Sequence, residues 1–308
     1  MNTFSIPDLP QGGSEILLEQ LRDHTQGYSG EFNIILSRCD KSLLNKEKKN
    51  ILWQHLDVDQ SVVQNISDPE FLQGLSAIIF VSHWQFHRFI NKFQLPVERC
   101  YVIHNAIIPR IPRSDSRNDK VRVVYTSTPW RGLDILLSAC ERLHRSDYQL
   151  EVFSSTALYG RAFYEANDRE YQHLYRRSED LDVGIYRGYL PQNQLLDEIS
   201  TADMLAYPSN WTETFCLSAI ESGALGLRLL LTNLGALPEV TLGLANLVPH
   251  SNDREVLIER YSMALNREID NVKNRSFTER EAQAELFRSA YSWQGRKIEW
   301  IDLFDSLK

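Results

Sequence analysis

Short apolar runs rich in β-branched and aliphatic residues alternate along the chain with longer stretches whose apolar positions recur at helical spacing. The runs predict strands at 32–36, 77–81, 100–104, 121–126, 149–153, 183–186, 204–207 and 228–232. The periodic stretches predict helices at 14–24, 68–73, 83–92, 132–144, 164–177, 193–201, 216–223, 253–266 and 278–290. Strands this continuously apolar are covered on both faces, and helices between them join them in parallel. The pattern therefore predicts an α/β protein built on parallel sheets. It breaks at 109–120, a polar, aperiodic stretch with Pro109 and Pro112, which predicts a linker. The expected domains are 1–111 and 112–284, each of ordinary size. The tail carries Trp293, Ile298, Trp300, Ile301, Leu303 and Phe304, an apolar face that must be buried. Residues 285–308 are expected to return across the first domain and complete it.

Composition narrows the class. With 308 residues, 43% hydrophobic and 24% charged, the chain can bury substantial cores. A formal net charge of -8 argues against a general nucleic-acid binder. No apolar run approaches the roughly 20 residues that span a bilayer. The first ten residues lack the basic head and apolar stretch of a secretory signal, so the expected location is cytoplasmic. Cys39, Cys100, Cys140 and Cys216 are scattered, which fits a reducing compartment and no thiolate metal site. His83 and His87 are four apart with no carboxylate between them, so no dedicated metal site is expected; His83 and His104 read as structural residues beside strand ends. Trp84, Phe86, Phe89, Ile90 and Phe93 fit either a sheet-packing face or an interfacial helix. The basic count is too low for strong attraction to a membrane, and that contact is not favoured.

The chemistry concentrates in 202–240. A strand ends at Pro208-Ser209, a polar loop carries Glu213, and a helix begins near Cys216 with Glu221 about one turn inside it. Ligands of open parallel sheets bind beyond the carboxyl ends of the strands. The unpaired N–H groups at a helix start hold phosphate, and ionised carboxylates accept hydrogen bonds from vicinal diols. A helix mouth with two glutamates is thus a cradle for a diphosphate-linked sugar.

This segment resembles the retaining glycosyltransferases of family 4, which have the GT-B fold of two Rossmann-like domains facing each other across a cleft. The resemblance rests on Pro208-Ser209, Glu213, Phe215, Glu221, Gly226, the apolar strand at 229–232, and Gly235-Ala236-Leu237-Pro238-Glu239. It implies that Glu213 faces the donor sugar, that Glu221 binds the ribose, and that Thr214, Phe215, Cys216 and Leu217 meet the sugar and phosphates. Upstream, the strand, loop and Gly132 at 121–137 place Arg131 where the family has a lysine on the donor diphosphate. Ser127-Thr128 stands where the family has Gly-Arg, so hydroxyls replace one cation. Segment 183–190 resembles the base-binding strand and implies base contacts from Tyr189 and Leu190. Segment 102–106 resembles the strand and Asn closing the first domain, and 291–300 the closing helix.

The first domain resembles the family less. Gly12-Gly13 stands where the family has a glycine loop facing donor and acceptor, but only residues 4–6 are available for the strand before it. A reduced first domain is expected. His55 falls where a family histidine faces the anomeric centre, which implies a catalytic role beside Arg131 and Glu213. Gly12, Gly13 and Glu239 are assigned to the acceptor side.

The resemblance implies a hexosyltransferase that moves a sugar from a nucleoside diphosphate sugar, such as a UDP-sugar or GDP-mannose, to a hydroxyl acceptor. It implies retention, no metal and no cofactor beyond the co-substrate. Two alternatives share the donor site: a sugar-nucleotide epimerase, and a binding or scaffold protein without catalysis. A nicotinamide dehydrogenase is disfavoured, because no Gly-x-Gly-x-x-Gly follows a strand.

Overall fold

The computed structural model describes residues 6–28, 30–111 and 119–308. The first half opens with α1 (Gly13–His24) and then alternates β1 (Phe32–Leu36), β2 (Lys49–Gln54), α2 (Pro69–Gln73), β3 (Leu75–Phe80), α3 (His83–Phe93) and β4 (Cys100–Val102). These four strands pair in parallel in the order β1-β2-β3-β4. The second half contains β5 (Val121–Tyr125), α4 (Leu133–Glu141), β6 (Tyr148–Val152), α5 (Arg161–Asn167), α6 (Gln172–Asp180), β7 (Gly184–Tyr186) and α7 (Gln192–Ile199). It continues with β8 (Met204–Tyr207), α8 (Leu217–Ala224), β9 (Arg228–Asn233), α9 (Leu237–Val240), β10 (Asn246–Pro249), α10 (Arg254–Lys273), α11 (Phe277–Tyr291) and α12 (Trp293–Ser306). Its six strands are parallel in the order β10-β9-β8-β5-β6-β7. Chain order runs outward in both directions from the β8–β5 pair, which makes that pair the switch point where a crevice opens.

Burial explains the elements. The four residues of β8 are all buried, as are Ile51 to Gln54 of β2, so these strands sit between layers. The aromatic face of α3 packs on the sheet: Phe89 lies 5.1 Å and Phe86 5.8 Å from Phe80. That sheet-packing role accounts for the face that could have suited an interface. Helix starts are capped by side chains that accept first-turn N–H bonds, Ser82 for α3 and Asp253 for α10. Ser276 and Glu279 form a reciprocal capping box on α11.

Several elements depart from the pattern. The lysine-rich approach to β2 hides a three-residue apolar run, Ile51-Leu52-Trp53, and the strand escapes a reading based on periodicity. At the edge of the second sheet, β10 ends in Pro249, a residue tolerated only where no ladder partner is needed. The helix expected at 164–177 is two helices separated by a 3-10 turn at Asp168–Tyr171. Buried Asp168 is the cause: its carboxylate accepts from Thr156 N–H, from the hydroxyls of Ser155, Thr156 and Tyr175, and from Gln172. Those bonds pin the turn to the loop after β6 and break the axis. Of the short strand expected at 4–6, residues 4 and 5 lie outside the described residues, and Ile6 is not in a strand. Residues 112–118 of the expected linker also lie outside them.

Residues 6–11 run instead onto the second half. Arg161 N–H donates to Pro7 O and Gln11 N–H to Leu158 O, each at 2.8 Å, and Arg161 pairs with Asp8. The tail makes the reciprocal crossing. Helix α11 packs on α8, Ile107 N–H donates to Tyr291 O, and α12 then lies against the first sheet. Trp300 meets Trp53 edge-on at 4.8 Å, Phe304 stacks on Phe32 at 4.5 Å, and the Trp293 indole donates to Gln20.

A fully buried tryptophan truncated to alanine costs about 3–5 kcal/mol. Trp300→Ala is expected to lower unfolding free energy by that amount in urea titration. A change below about 1 kcal/mol would mean that α12 is not part of the first half's core.

Candidate active site

The carboxyl ends of both sheets face one cleft of about 1070 Å³. The first half supplies the loops after β1, β2 and β4, through Ser37, His55 and Asn105; the second supplies those after β5, β6, β7 and β8. The volume is at the upper end for small-molecule sites and suits a large ligand.

Its floor is organised around Glu213, which is 4% exposed. Arg131 Nη1 donates to both carboxylate oxygens, at 2.9 and 3.2 Å, and the Tyr207 hydroxyl donates to Oε1. The Arg131 guanidinium also lies 5.8 Å from the Trp211 ring centroid. Backbone contacts fix the loop. Ala236 N–H donates to Glu213 O at 2.7 Å, which brings Gly235 against it; a Cβ on Gly235 would sit 2.2 Å from that oxygen. Gly235 also has φ of 64°, a conformation that glycine alone adopts without strain. Gly132, beside Arg131, is constrained in the same way by Pro208 O, 2.1 Å from where a Cβ would be. Thr214 bolts the loop to the first half: its hydroxyl donates to His55 O and its carbonyl accepts from Ser82 Oγ.

Cys216 precedes α8 with φ of 83° and ψ of 84°, a strained conformation for a residue with a Cβ. It turns the chain so that the first N–H groups of α8, which have no helical partner, open beside the cleft lining of Cys216, Leu217 and Ser218. Ser218 is held by the Thr126 carbonyl at 2.8 Å. Glu221 lies one turn further and accepts from the Gln192 amide. Burial pushes the Glu221 carboxyl up to about 7, against the lowering effect of Gln192. Burial pushes the His55 imidazole down to about 4, so the ring is neutral at pH 7 despite its Asn105 neighbour.

Among the described residues, fourteen buried side-chain polar atoms have no hydrogen-bond partner in the protein, and six of them belong to cleft-lining residues: both His55 ring nitrogens, Asn105 Oδ1, Thr128 Oγ1, Arg131 Nε and Ser154 Oγ. Buried polar groups are nearly always satisfied, so these six are free to meet a polar ligand in the cleft.

The expected residues Gly12, Gly13, His55, Ser127, Thr128, Arg131, Tyr189, Leu190, Glu213, Thr214, Phe215, Cys216, Leu217 and Glu221 all line the cleft. Glu239 does not. It borders a separate shallow hollow, and its carboxylate accepts from His83 N–H, Trp84 N–H and His104 Nε2 at 2.8 to 3.0 Å. Its position on the acceptor side gives way to capping α3 across the two halves. His83, His104 and Glu239 also form the group that could gather a metal ion among the described residues, and it lies outside the cleft lining. Periodicity gave no notice of Tyr207, Gln192, Trp130 or Tyr159. Tyr207 was marked only by ending the strand before Pro208-Ser209.

Residues 106–284, more than half of the chain, match the family described as glycosyl transferases group 1. The chain belongs to that family. It is a glycosyltransferase, and membership favours glycosyl transfer over the epimerase and scaffold alternatives. No curated protein matches it significantly in sequence. Solved structures share its fold at low identity. A glycosyltransferase from Rickettsia africae ESF-5 is 14% identical with TM-score 0.66, covering 100% of this chain and 84% of that one. Anabaena Alr3699/HepE in complex with UDP and glucose is 13% identical with TM-score 0.67, covering 96% and 84%. The pneumococcal O-GlcNAc transferase GtfA in complex with UDP and GlcNAc is 11% identical with TM-score 0.67; 96% of this chain spans 60% of that one. The glycosyltransferase therefore has the GT-B architecture with a four-stranded first sheet. Among its described residues, no helix is long and apolar enough to cross a membrane.

Gly235→Ala combines left-handed strain with a clash on the Glu213 backbone. It is expected to cost at least about 2 kcal/mol in urea unfolding. An unperturbed midpoint would show that the Glu213 loop is not held by that contact.

Proposed function

We propose that this glycosyltransferase takes its sugar from a nucleoside diphosphate sugar and passes it to a hydroxyl with retention at the anomeric carbon, without a metal ion. The observation that carries this reading is the convergence of Arg131, Glu213, Glu221 and the start of α8 on one cleft rich in unpartnered polar atoms. A uridine nucleotide is the favoured donor, because HepE was solved with UDP-glucose and GtfA with UDP. The working division is 1–111 with 285–308 on the acceptor side and 112–284 on the donor side.

Each group has a role that its chemistry allows. Tyr189 and Leu190, after β7, receive the base, and Glu221 accepts from the ribose diol. Ser127, Thr128, Arg131 and the N–H groups of α8 take the diphosphate. Arg131 Nε is unpartnered and its Nη1 is on loan to Glu213. As phosphate draws the guanidinium away, Glu213 is released to accept from sugar hydroxyls. Neutral His55 hydrogen-bonds near the anomeric carbon and does not shuttle a charge at pH 7. Gly12 and Gly13 let the first-half loop approach; a Cβ on Gly13 would lie 2.8 Å from Leu217 Cδ1.

In the reaction the bond between the anomeric carbon and the phosphate oxygen breaks, and its electron pair leaves with the diphosphate. The acceptor oxygen bonds to the same face, and its proton passes to the departing phosphate oxygen. Charge grows on that oxygen, where Arg131, once drawn from Glu213, and the α8 N–H groups would stabilise it. These positive groups do the work a metal does elsewhere.

Nucleoside diphosphates should raise the melting temperature, since a ligand at 100 times its Kd adds about 2.7 kcal/mol. Silence across UDP, GDP and ADP would sink the donor reading. Glu221→Gln is expected to raise donor KM by up to ~10²-fold. Because the Glu221 carboxyl is raised to about 7, the charged acceptor exists above that pH and is lost below it. Donor KM in the native enzyme should climb as pH falls from 8 to 6, and Glu221→Gln should flatten that profile; a parallel slope in the variant would contradict the ribose role. Arg131→Ala should lower kcat by ~10²-fold or more as well as weaken donor binding. An unchanged kcat would remove Arg131 from the leaving group.

A further inference from the structure

Outside the cleft, one group of side chains has the composition of a metal site. His83 opens α3, His104 follows β4 and Glu239 lies in α9, so two imidazoles of the first half meet a carboxylate of the second. Their ligand atoms all lie within 4.8 Å of one another. His104 Nε2 is 3.0 Å from Glu239 Oε1, and the two histidine rings stand edge to face with centroids 6.0 Å apart. Ligands about 2.0–2.1 Å from a tetrahedral zinc ion lie roughly 3.3 Å from one another. His104 and Glu239 are within a few tenths of an ångström of that spacing. The remaining gap falls to His83, which is exposed and whose ring nitrogens make no hydrogen bond among the described residues, so the ring is free to turn.

The carboxylate is already oriented. His83 N–H donates to Oε1 and Trp84 N–H to Oε2, each at 2.8 Å, which is the task of outer-shell bonds in a metal site. Each oxygen keeps a lone pair beyond these bonds. On entry of an ion, His104 Nε2 exchanges its bond to Glu239 for the metal, and the neutral ring carries its proton on Nδ1. Capping α3 needs the carboxylate alone; it does not require two histidines brought to it from separate segments. Two imidazoles and one carboxylate suit a borderline ion such as zinc, whereas magnesium and calcium prefer oxygen ligands throughout. The exposed side leaves a fourth position for water. The group stands behind the donor loop. Ser82, next to His83, donates to Thr214 O; His104 lies 5.8 Å from the Phe215 ring and adjoins Asn105, which lines the cleft.

We propose that His83, His104 and Glu239 bind a borderline divalent cation such as zinc, and that the ion clamps the two halves together from outside the cleft. Its ligands come from both halves, so a bound ion restrains their separation and steadies the loop that carries Glu213 and Thr214. It takes no part in sugar transfer, and the inference does not depend on the donor reading.

Zinc titrated into the full-length protein without nucleotide, in competition with a chromophoric chelator, tests this. One ion per chain should bind, and His83→Ala and His104→Gln should each weaken it by about ten-fold or more. Glutamine at 104 keeps an N–H donor for Glu239, and metal-free melts of both variants check folding. Zinc should raise the melting temperature of the native protein, and most of that rise should vanish in both variants. Cobalt(II) in the same site should give visible bands without a thiolate band in the near ultraviolet. Three results would overturn the proposal: no zinc binding tighter than about 0.1 mM, an affinity unchanged in either variant, or a thiolate band, which would assign the ion to one of the cysteines. Nucleotide is absent throughout, so failure here leaves the donor reading untouched, and silence across nucleotides leaves the zinc result untouched.

Discussion

A carboxylate enclosed in protein cannot stay ionised without a partner, and the architecture of the cleft follows from how Glu213 is partnered. Arg131 from the loop after β5 and Tyr207 from the end of β8 hold its oxygens, while Ala236 and Gly235 from the turn after β9 hold its backbone. Three neighbouring strands of one sheet are thereby tied to a single side chain. Thr214 then extends the tie to His55 and Ser82 in the first half. On the proposed donor reading, the Arg131–Glu213 pair is what a ligand exchanges, a phosphate competing for the guanidinium and a sugar for the carboxylate.

The two halves are joined by more than their linker. The N-terminal strap lies on α5, α12 lies on the first sheet, and Glu239 from the second half caps α3 of the first. Each contact uses a group that would otherwise be unsatisfied: free strap amides, an apolar aromatic helix face, or the N–H groups of a helix start. They surround the cleft, so the spacing between its walls is set by ordinary fold-stabilising bonds. A four-stranded first sheet has limited area on which to build a core, and the tail tryptophan and phenylalanine add to it.

Strain is concentrated in the same place. Cys216 sits with φ of 83° at the start of α8, and Gly132 and Gly235 are pressed against backbone oxygens. These positions aim the helix N–H groups, Arg131 and Glu213 into one volume. Polar atoms without partners lie around them. Those unpartnered atoms are preorganised for a polar ligand, since they need not give up protein bonds to make new ones.

The sequence by itself determined the layer architecture, because strand and helix periods are local and survive without tertiary context. It also located the α8 mouth, Glu213, Glu221 and Arg131, because a turn, a carboxylate and a helix start at fixed spacing lie within one segment or one strand–loop–helix unit. What it did not determine depends on contacts between distant residues. Buried Asp168 splits a continuous helical pattern through bonds to the loop after β6, and β2 is a central strand because of its neighbours rather than its lysine-rich approach. Glu239 carries a motif position yet is drawn to cap α3, 156 residues away in sequence from its His83 partner. The ring stack of Trp130 on Tyr159, 29 residues away, forms only after β5 and β6 pair. Spacing along a chain reveals what a single segment can do; the pairing of a carboxylate or the stacking of rings is decided by which segments the fold brings within a few ångströms.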